Sequence, residues 1–368
     1  MKITCNKEKL VETLSVVQRA VSAKSNLAAL EGVLLKAENQ QLTLCGYNME
    51  YGIITNIEAQ VEKEGSIVLS AKLLTEIVRK LPCDEILINV SDTLNTTIQS
   101  GNCDFSLTGI NGSEFPKLPD IKDPETIELP LETIKSMIRQ TIFAVSDDDS
   151  RPIHMGTLFD IKDNEITLVS VDGYRLALRK EKINEKAEMN FVVPGKALGE
   201  VLRLLPDGEE KKLKILYSLH HIKFQIDKYQ IISRLLEGEF LDYKASIPEN
   251  FNTTVNINTR TFIDSIERVS LMIMDRLKSS VHCMISENQI RLFCQTTIGK
   301  AVDEINGVQV QGKDIEIGFN SKYMIDALKN AETDEVTIKL DTPISPIKIM
   351  PKSGDNFLFL VLPVKLRY

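Results

Sequence analysis

A chain of 368 residues exceeds what one ordinary hydrophobic core organises and fits two or three domains. Its 43% hydrophobic and 26% charged content is that of a globular protein, which excludes a disordered or fibrous chain, and no apolar run is long enough to span a bilayer. A net charge of −8 excludes a protein coated all round in basic nucleic-acid-binding surface, while leaving room for a local basic face.

The opening Met-Lys-Ile-Thr-Cys-Asn-Lys leads into a charged amphipathic stretch rather than the apolar core of a signal peptide, so a cytoplasmic protein is expected. A helix is predicted over 7–22, with Leu10, Leu14 and Val17 on its apolar face. After Asn39 comes a short alternating strand, Leu42-Thr43-Leu44-Cys45. A strand-to-helix junction follows, Leu69-Ser70-Ala71-Lys72-Leu73-Leu74, opening a helix over 72–80. The segment Phe115-Pro116-Lys117-Leu118-Pro119 then marks a boundary near residue 122.

Beyond it the same order returns. A helix over 132–145 carries Ile134 and Ile138, and its end repeats Ala20-Val21-Ser22 as Ala144-Val145-Ser146. The strand Ile166-Thr167-Leu168-Val169 and the junction Val193-Pro194-Gly195-Lys196-Ala197-Leu198 follow, each 124 residues after its first copy, with a helix over 196–205. After Ile247-Pro248-Glu249 a third round begins: a helix over 259–276 with Phe262 and Ile266, the strand Ile290-Arg291-Leu292-Phe293, and Phe319-Asn320-Ser321-Lys322-Tyr323-Met324 opening a helix over 321–330. Three patterns recurring in one order and phase imply three homologous domains, 1–122, 123–250 and 251–368. Each reads as an α+β unit with two helices packed on antiparallel sheets.

Charge is segregated among these elements. The six helical windows hold 15 lysines and arginines against 9 acids, a surplus of six, so the remainder of the chain carries −14. Exposed helix faces ordinarily collect basic residues, but all six windows with a basic excess or balance suit a surface that holds a phosphate backbone without reading sequence.

Chemistry-bearing motifs are sparse. The six cysteines form no C-x-x-C pair and the four histidines no ligand spacing, so buried reduced thiols and no metal site are expected. The run Asp147-Asp148-Asp149 beside Arg151 and His154 offers a metal-dependent nuclease as a rival reading. It lacks a second carboxylate cluster, and the chain has no P-loop or G-x-S-x-G, so no catalytic residue and no cofactor are expected.

The segments Val171-Asp172-Gly173-Tyr174-Arg175-Leu176-Ala177, Glu237-Gly238-Glu239-Phe240-Leu241-Asp242-Tyr243 and Val361-Leu362-Pro363-Val364-Lys365-Leu366 resemble the bacterial DNA sliding clamps, the β subunits of DNA polymerase III. The resemblance spans essentially the whole chain. It implies a non-enzymatic, head-to-tail homodimer, a six-domain ring around double-stranded DNA that serves the replicative DNA polymerase, the clamp loader and other clamp-motif proteins. It places DNA contacts at Lys24, Lys72, Arg151 and Lys196. It also implies a peptide cleft built from His154, Val171, Gly173, Tyr174, Arg175, Leu176, Leu241, Leu360, Leu362, Pro363, Val364, Lys365 and Leu366, whose apolar walls and polar Tyr174 and Arg175 suit an anchored peptide. Leu241 stands where the family commonly has proline, and Val171 where threonine is frequent. A monomeric three-domain scaffold is the second rival, since sequence does not display ring closure.

Overall fold

The structure, a computed structural model, describes residues 1–183, 188–208, 211–273 and 280–366. Among these lie six α-helices: α1 (Lys7–Val17), α2 (Ala71–Lys80), α3 (Leu131–Ile142), α4 (Gly195–Leu204), α5 (Thr259–Ser270) and α6 (Ser321–Lys329). Asparagine side chains cap three of them. Asn6 accepts the Lys9 N–H at 3.0 Å, Asn258 that of Thr261 at 2.9 Å and Asn320 that of Lys322 at 2.9 Å, each satisfying a donor that the helix leaves unpaired. The first helix is shorter than its predicted window, ending at Val17 before a 3₁₀ turn at Gln18–Ala20. The fifth ends at Ser270, and Asp275 and Arg276 of its predicted window lie outside the described residues.

Two compact units emerge, and the boundary between them runs through the middle third of the chain. The first comprises residues 1–131 and 203–235, the second residues 132–202 and 236–368. In the first, the antiparallel strand Tyr229–Arg234 pairs with Tyr51–Lys63, setting Ile231 opposite Ile53, so strands of the middle third continue the sheet of the first third. In the second, Arg175–Lys182 pairs with Phe357–Val361, setting Ala177 opposite Phe359, and the sheet runs on into the last third. Sheet continuity explains the division, because each junction buries two strand edges that would otherwise present bare N–H and C=O groups.

In both units helices pack their apolar faces against the sheets. In the first unit Leu10, Leu14 and Val17 of α1 and Leu74 and Val78 of α2 are fully buried. Each such side chain contributes about 1.5–3 kcal/mol of transfer free energy. In the second, Phe262 and Ile266 of α5 and Met324 and Leu328 of α6 enclose a core with Ile349, Phe357 and Phe359. Helix α3 is tied to the turn after α6, where Gln140 Nε2 donates to the Ala331 carbonyl at 3.0 Å and Arg139 meets Glu332 at 2.6 Å.

The repeat seen in the sequence reaches individual hydrogen bonds. Asn48 Oδ1 accepts from the N–H groups of Glu50 and Tyr51 at 3.0 and 2.9 Å, and Asp172 Oδ1, 124 residues on, accepts from Tyr174 and Arg175 at 2.9 and 3.0 Å. The residue between is left-handed in both turns, Met49 at φ +73° and Gly173 at φ +88°. After another 124 residues Thr296 Oγ1 accepts from the Ile298 N–H at 3.4 Å. Four of the six cysteines are buried as expected, but Cys83 and Cys103 are exposed beside the turn that joins two outer strands.

Candidate partner-binding site

The site grows from the Asp172 turn. A side-chain oxygen that ties down two successive N–H groups fixes the turn between the strands Glu165–Val171 and Arg175–Lys182. At Gly173 a Cβ would meet nothing within 4 Å, so the demand for glycine is backbone conformation rather than space. The turn leaves Tyr174 61% exposed and directs Arg175 inward.

Arg175 is the most heavily engaged side chain of the set. Its Nε meets Asp172 at 2.9 Å and its Nη1 meets Asp326 of α6 at 2.6 Å, with only 10% of the side chain exposed. The guanidinium also lies 4.7 Å from the ring centroid of Tyr323 and 5.5 Å from that of Phe143. Tyr174 in turn stacks on Tyr323, centroids 5.9 Å apart and planes 20° off parallel. Burial pushes the Tyr323 hydroxyl above the usual tyrosine range, with the Asp172 carboxylate adding to the effect and Arg175 opposing it. The phenol therefore stays protonated and able to donate.

The C-terminal segment completes the exposed rim. Leu362 donates its N–H to the Tyr174 carbonyl at 2.8 Å and remains 40% exposed, and Pro363 lies opposite Phe319. The chain then turns onto the strand Ile315–Phe319, where Val364 donates to the Gly318 carbonyl at 2.8 Å. Leu366 packs so closely on Gly318 that a Cβ there would stand 2.5 Å from its Cδ2. Val364 and Leu366 thus anchor the terminus, while Lys365 is exposed.

Of the thirteen residues assigned to a cleft from sequence, three sit deeper than expected. Val171, Leu176 and Leu360 are 4–5% exposed, because the segment after Arg234 crosses over them and packs Leu236, Phe240, Tyr243 and Ile247 onto the same face. That segment is fastened by the Leu236 N–H to the Val192 carbonyl at 2.9 Å and by the Tyr243 hydroxyl to Asp160 at 2.7 Å. His154 joins it edge-on to Phe240, ring centroids 5.7 Å apart, while Leu241 points outward, 41% exposed. Of the large apolar side chains assigned to the cleft, Tyr174, Leu241 and Leu362 are therefore the exposed ones. Tyr323, Phe143 and Asp326 were not singled out from sequence, although Tyr323 lies inside the third junction motif.

The four cations assigned to DNA are all exposed. Lys24 lies in a loop and Lys72 in the first turn of α2, both in the first unit. Arg151 precedes the 3₁₀ turn Pro152–Met155 and Lys196 lies in the first turn of α4, both in the second. Near Arg151, Asp148 caps its own loop by accepting the Ser150 N–H at 2.9 Å, which holds its carboxyl below the usual range. Among the described residues no group of three or more histidine, cysteine, aspartate or glutamate side chains is placed to hold a metal, and no helix is long and apolar enough to cross a membrane.

Three domain families match in tandem: the DNA polymerase III beta subunit N-terminal domain over residues 1–119, the central domain over 128–242 and the C-terminal domain over 244–365. The chain belongs to the DNA polymerase III beta subunit family. It is 33% identical to the beta sliding clamp of Bacillus subtilis (strain 168), over 99% of this chain and 100% of that one. The solved Bacillus subtilis sliding clamp superposes with a TM-score of 0.96 at 32% identity, covering 100% of both chains. A beta subunit structure from Eubacterium rectale gives 0.94 at 33% identity over 99% of each. Three clamp domains and the function of a DNA sliding clamp, a replication processivity factor, follow from this membership.

Proposed function

We propose that two copies of this chain close head to tail into a six-domain ring around duplex DNA, with domains spanning 1–122, 123–250 and 251–368. The observation that carries the ring is, among the described residues, a sheet edge with no strand beside it in each unit. Cys103–Thr108 ends the first unit's sheet, exposed along most of its length, with Phe105 38% exposed. Gly299–Asn306 ends the four-stranded sheet of the second, with Val302 43% exposed. Pairing one copy's first edge with the next copy's second covers both, and a heterologous contact of this kind closes into a ring.

Inside the ring the basic helices meet phosphate, with Lys24, Lys72, Arg151 and Lys196 as non-sequence-specific contacts. The rim of Tyr174, Leu241 and Leu362 receives short peptide segments of the replicative polymerase, the clamp loader and other clamp-motif proteins. The chain itself performs no catalysis, needs no cofactor and works in the cytoplasm. Sedimentation tests the assembly. The dimeric ring requires twice the 41.4 kDa chain mass at micromolar concentration and a return to monomer on combining Phe105→Asp with Val302→Asp. A wild-type chain that sediments as a monomer contradicts it.

A further inference from the structure

One row of side chains crosses the outer face of the second unit's sheet, each directly opposite the next: Leu176, Leu360, Lys348, Lys339 and Thr254. Directly opposed residues in antiparallel strands share a face, so the apolar floor beneath the site runs straight into two adjacent lysines. Like charges so placed destabilise a sheet unless something compensates. Phe251 lies with them, its ring centroid 5.1 Å from Lys348 Nζ and 5.7 Å from Lys339 Nζ, offering a π face to both. Their neighbours Thr254, Asn256 and Thr337 are uncharged, the carboxylate of Asp341, two residues beyond Lys339, is taken by the Asn252 side-chain amide, and among the described residues neither ammonium is ion-paired. Burial, and then the neighbouring Lys339, hold Lys348 below the usual lysine range.

We infer that Lys348, Lys339 and Phe251 form an acidic-residue subsite that extends the peptide site, taking an aspartate or glutamate of the partner segment beside its apolar anchor. This rests on the peptide-binding reading above. Lys348 is diagonal to the exposed Leu362, about 7–8 Å away, and Lys339 is one strand further. An extended peptide advances roughly 3.3 Å per residue, which places the acid two or three residues from the anchor. The subsite would thus select among partners by charge flanking the anchor.

The test uses two labelled nonapeptides on the full-length protein, Gly-Glu-Glu-Ser-Leu-Phe-Ser-Glu-Glu and its counterpart with glutamine at all four glutamates. At low ionic strength the glutamate peptide should bind about tenfold tighter, and the K339Q/K348Q variant should lower it to the level of the glutamine peptide, whose affinity stays unchanged. High salt should shrink the difference, as expected for half-buried charges still within reach of solvent ions. Equal affinities for wild type, or equal loss of both peptides in the variant, would overturn the subsite while leaving the cleft standing. Failure of both peptides to bind would overturn the cleft with it.

Discussion

The Tyr174 carbonyl accepts the backbone N–H of Leu362 at 2.8 Å, joining a turn of the middle third to the last residues of the chain. One flank of this link is an exposed apolar rim and the other a buried arginine with two carboxylates. The proposed binding surface and its scaffold can therefore be separated by substitution.

Removing the arginine tests the scaffold. Arg175→Ala leaves Asp172 and Asp326 facing each other in a partly buried setting and strips a cation from Tyr323 and Phe143. A loss of about 2–4 kcal/mol in unfolding free energy is expected, below the full cost of breaking a buried pair because Asp326 is 32% exposed. Chemical denaturation measures it, and peptide affinity should fall as Tyr174 loses its support.

Leu362→Asp should do the reverse. Its exposed side chain contributes little to the core, so stability should change by less than about 0.5–1 kcal/mol while peptide binding is abolished. Leu14→Ala is the counterpart: a fully buried side chain whose truncation should cost about 2–5 kcal/mol and leave peptide affinity per folded molecule unchanged. Paired denaturation and anisotropy titrations check both.

Two histidines contribute to the pH dependence of stability between pH 7 and 5. Burial and then Arg151 hold His154 below the usual 6.5, and burial, His220 and Arg234 do the same for His221. With folded values below the unfolded ones, the unfolded chain takes up protons first. Their stability contribution is complete above about pH 6.5 and declines as pH falls through that value toward the folded ones. Carboxylates held low, such as Asp303 and Asp355, act only further down. Replacing both histidines with glutamine should flatten the pH 7 to 5 portion of a thermal-unfolding profile.

Thiol titration gives a direct check on burial. Cys83 should react promptly with a water-soluble disulfide reagent, whereas Cys103, which heads the edge strand that the ring covers, should do so in the monomeric variant that combines Phe105→Asp with Val302→Asp. Cys5, Cys45 and Cys283, pushed up to about 12 by burial, should react only on unfolding, and buried Cys294 should follow them.

Much of this was legible in the sequence because the repeat is written in local chemistry. Leu10 and Ile134, or Leu44 and Leu168, do the same job at one spacing, and asparagines mark turns and caps by a mechanism that requires them. What was hidden was long-range. Nothing in the alternation of Tyr229–Arg234 says that it pairs with Tyr51–Lys63, since any half-buried strand alternates alike. The burial of Val171, Leu176 and Leu360 depends on a segment that folds back across the sheet. Tyr323 reads as an ordinary residue of an amphipathic helix until Tyr174 is found stacked on it. The lysine pair at 339 and 348 emerges only from strand register.

Encirclement is tested most directly by loading the purified protein with a bacterial clamp loader and ATP onto a nicked DNA circle, then measuring retention before and after the circle is cut once. A ring predicts stable, salt-resistant retention on the circle and rapid loss from the linear form, because only topology holds it. Salt-sensitive binding that ignores the presence of ends would contradict the ring and leave a surface binder in its place.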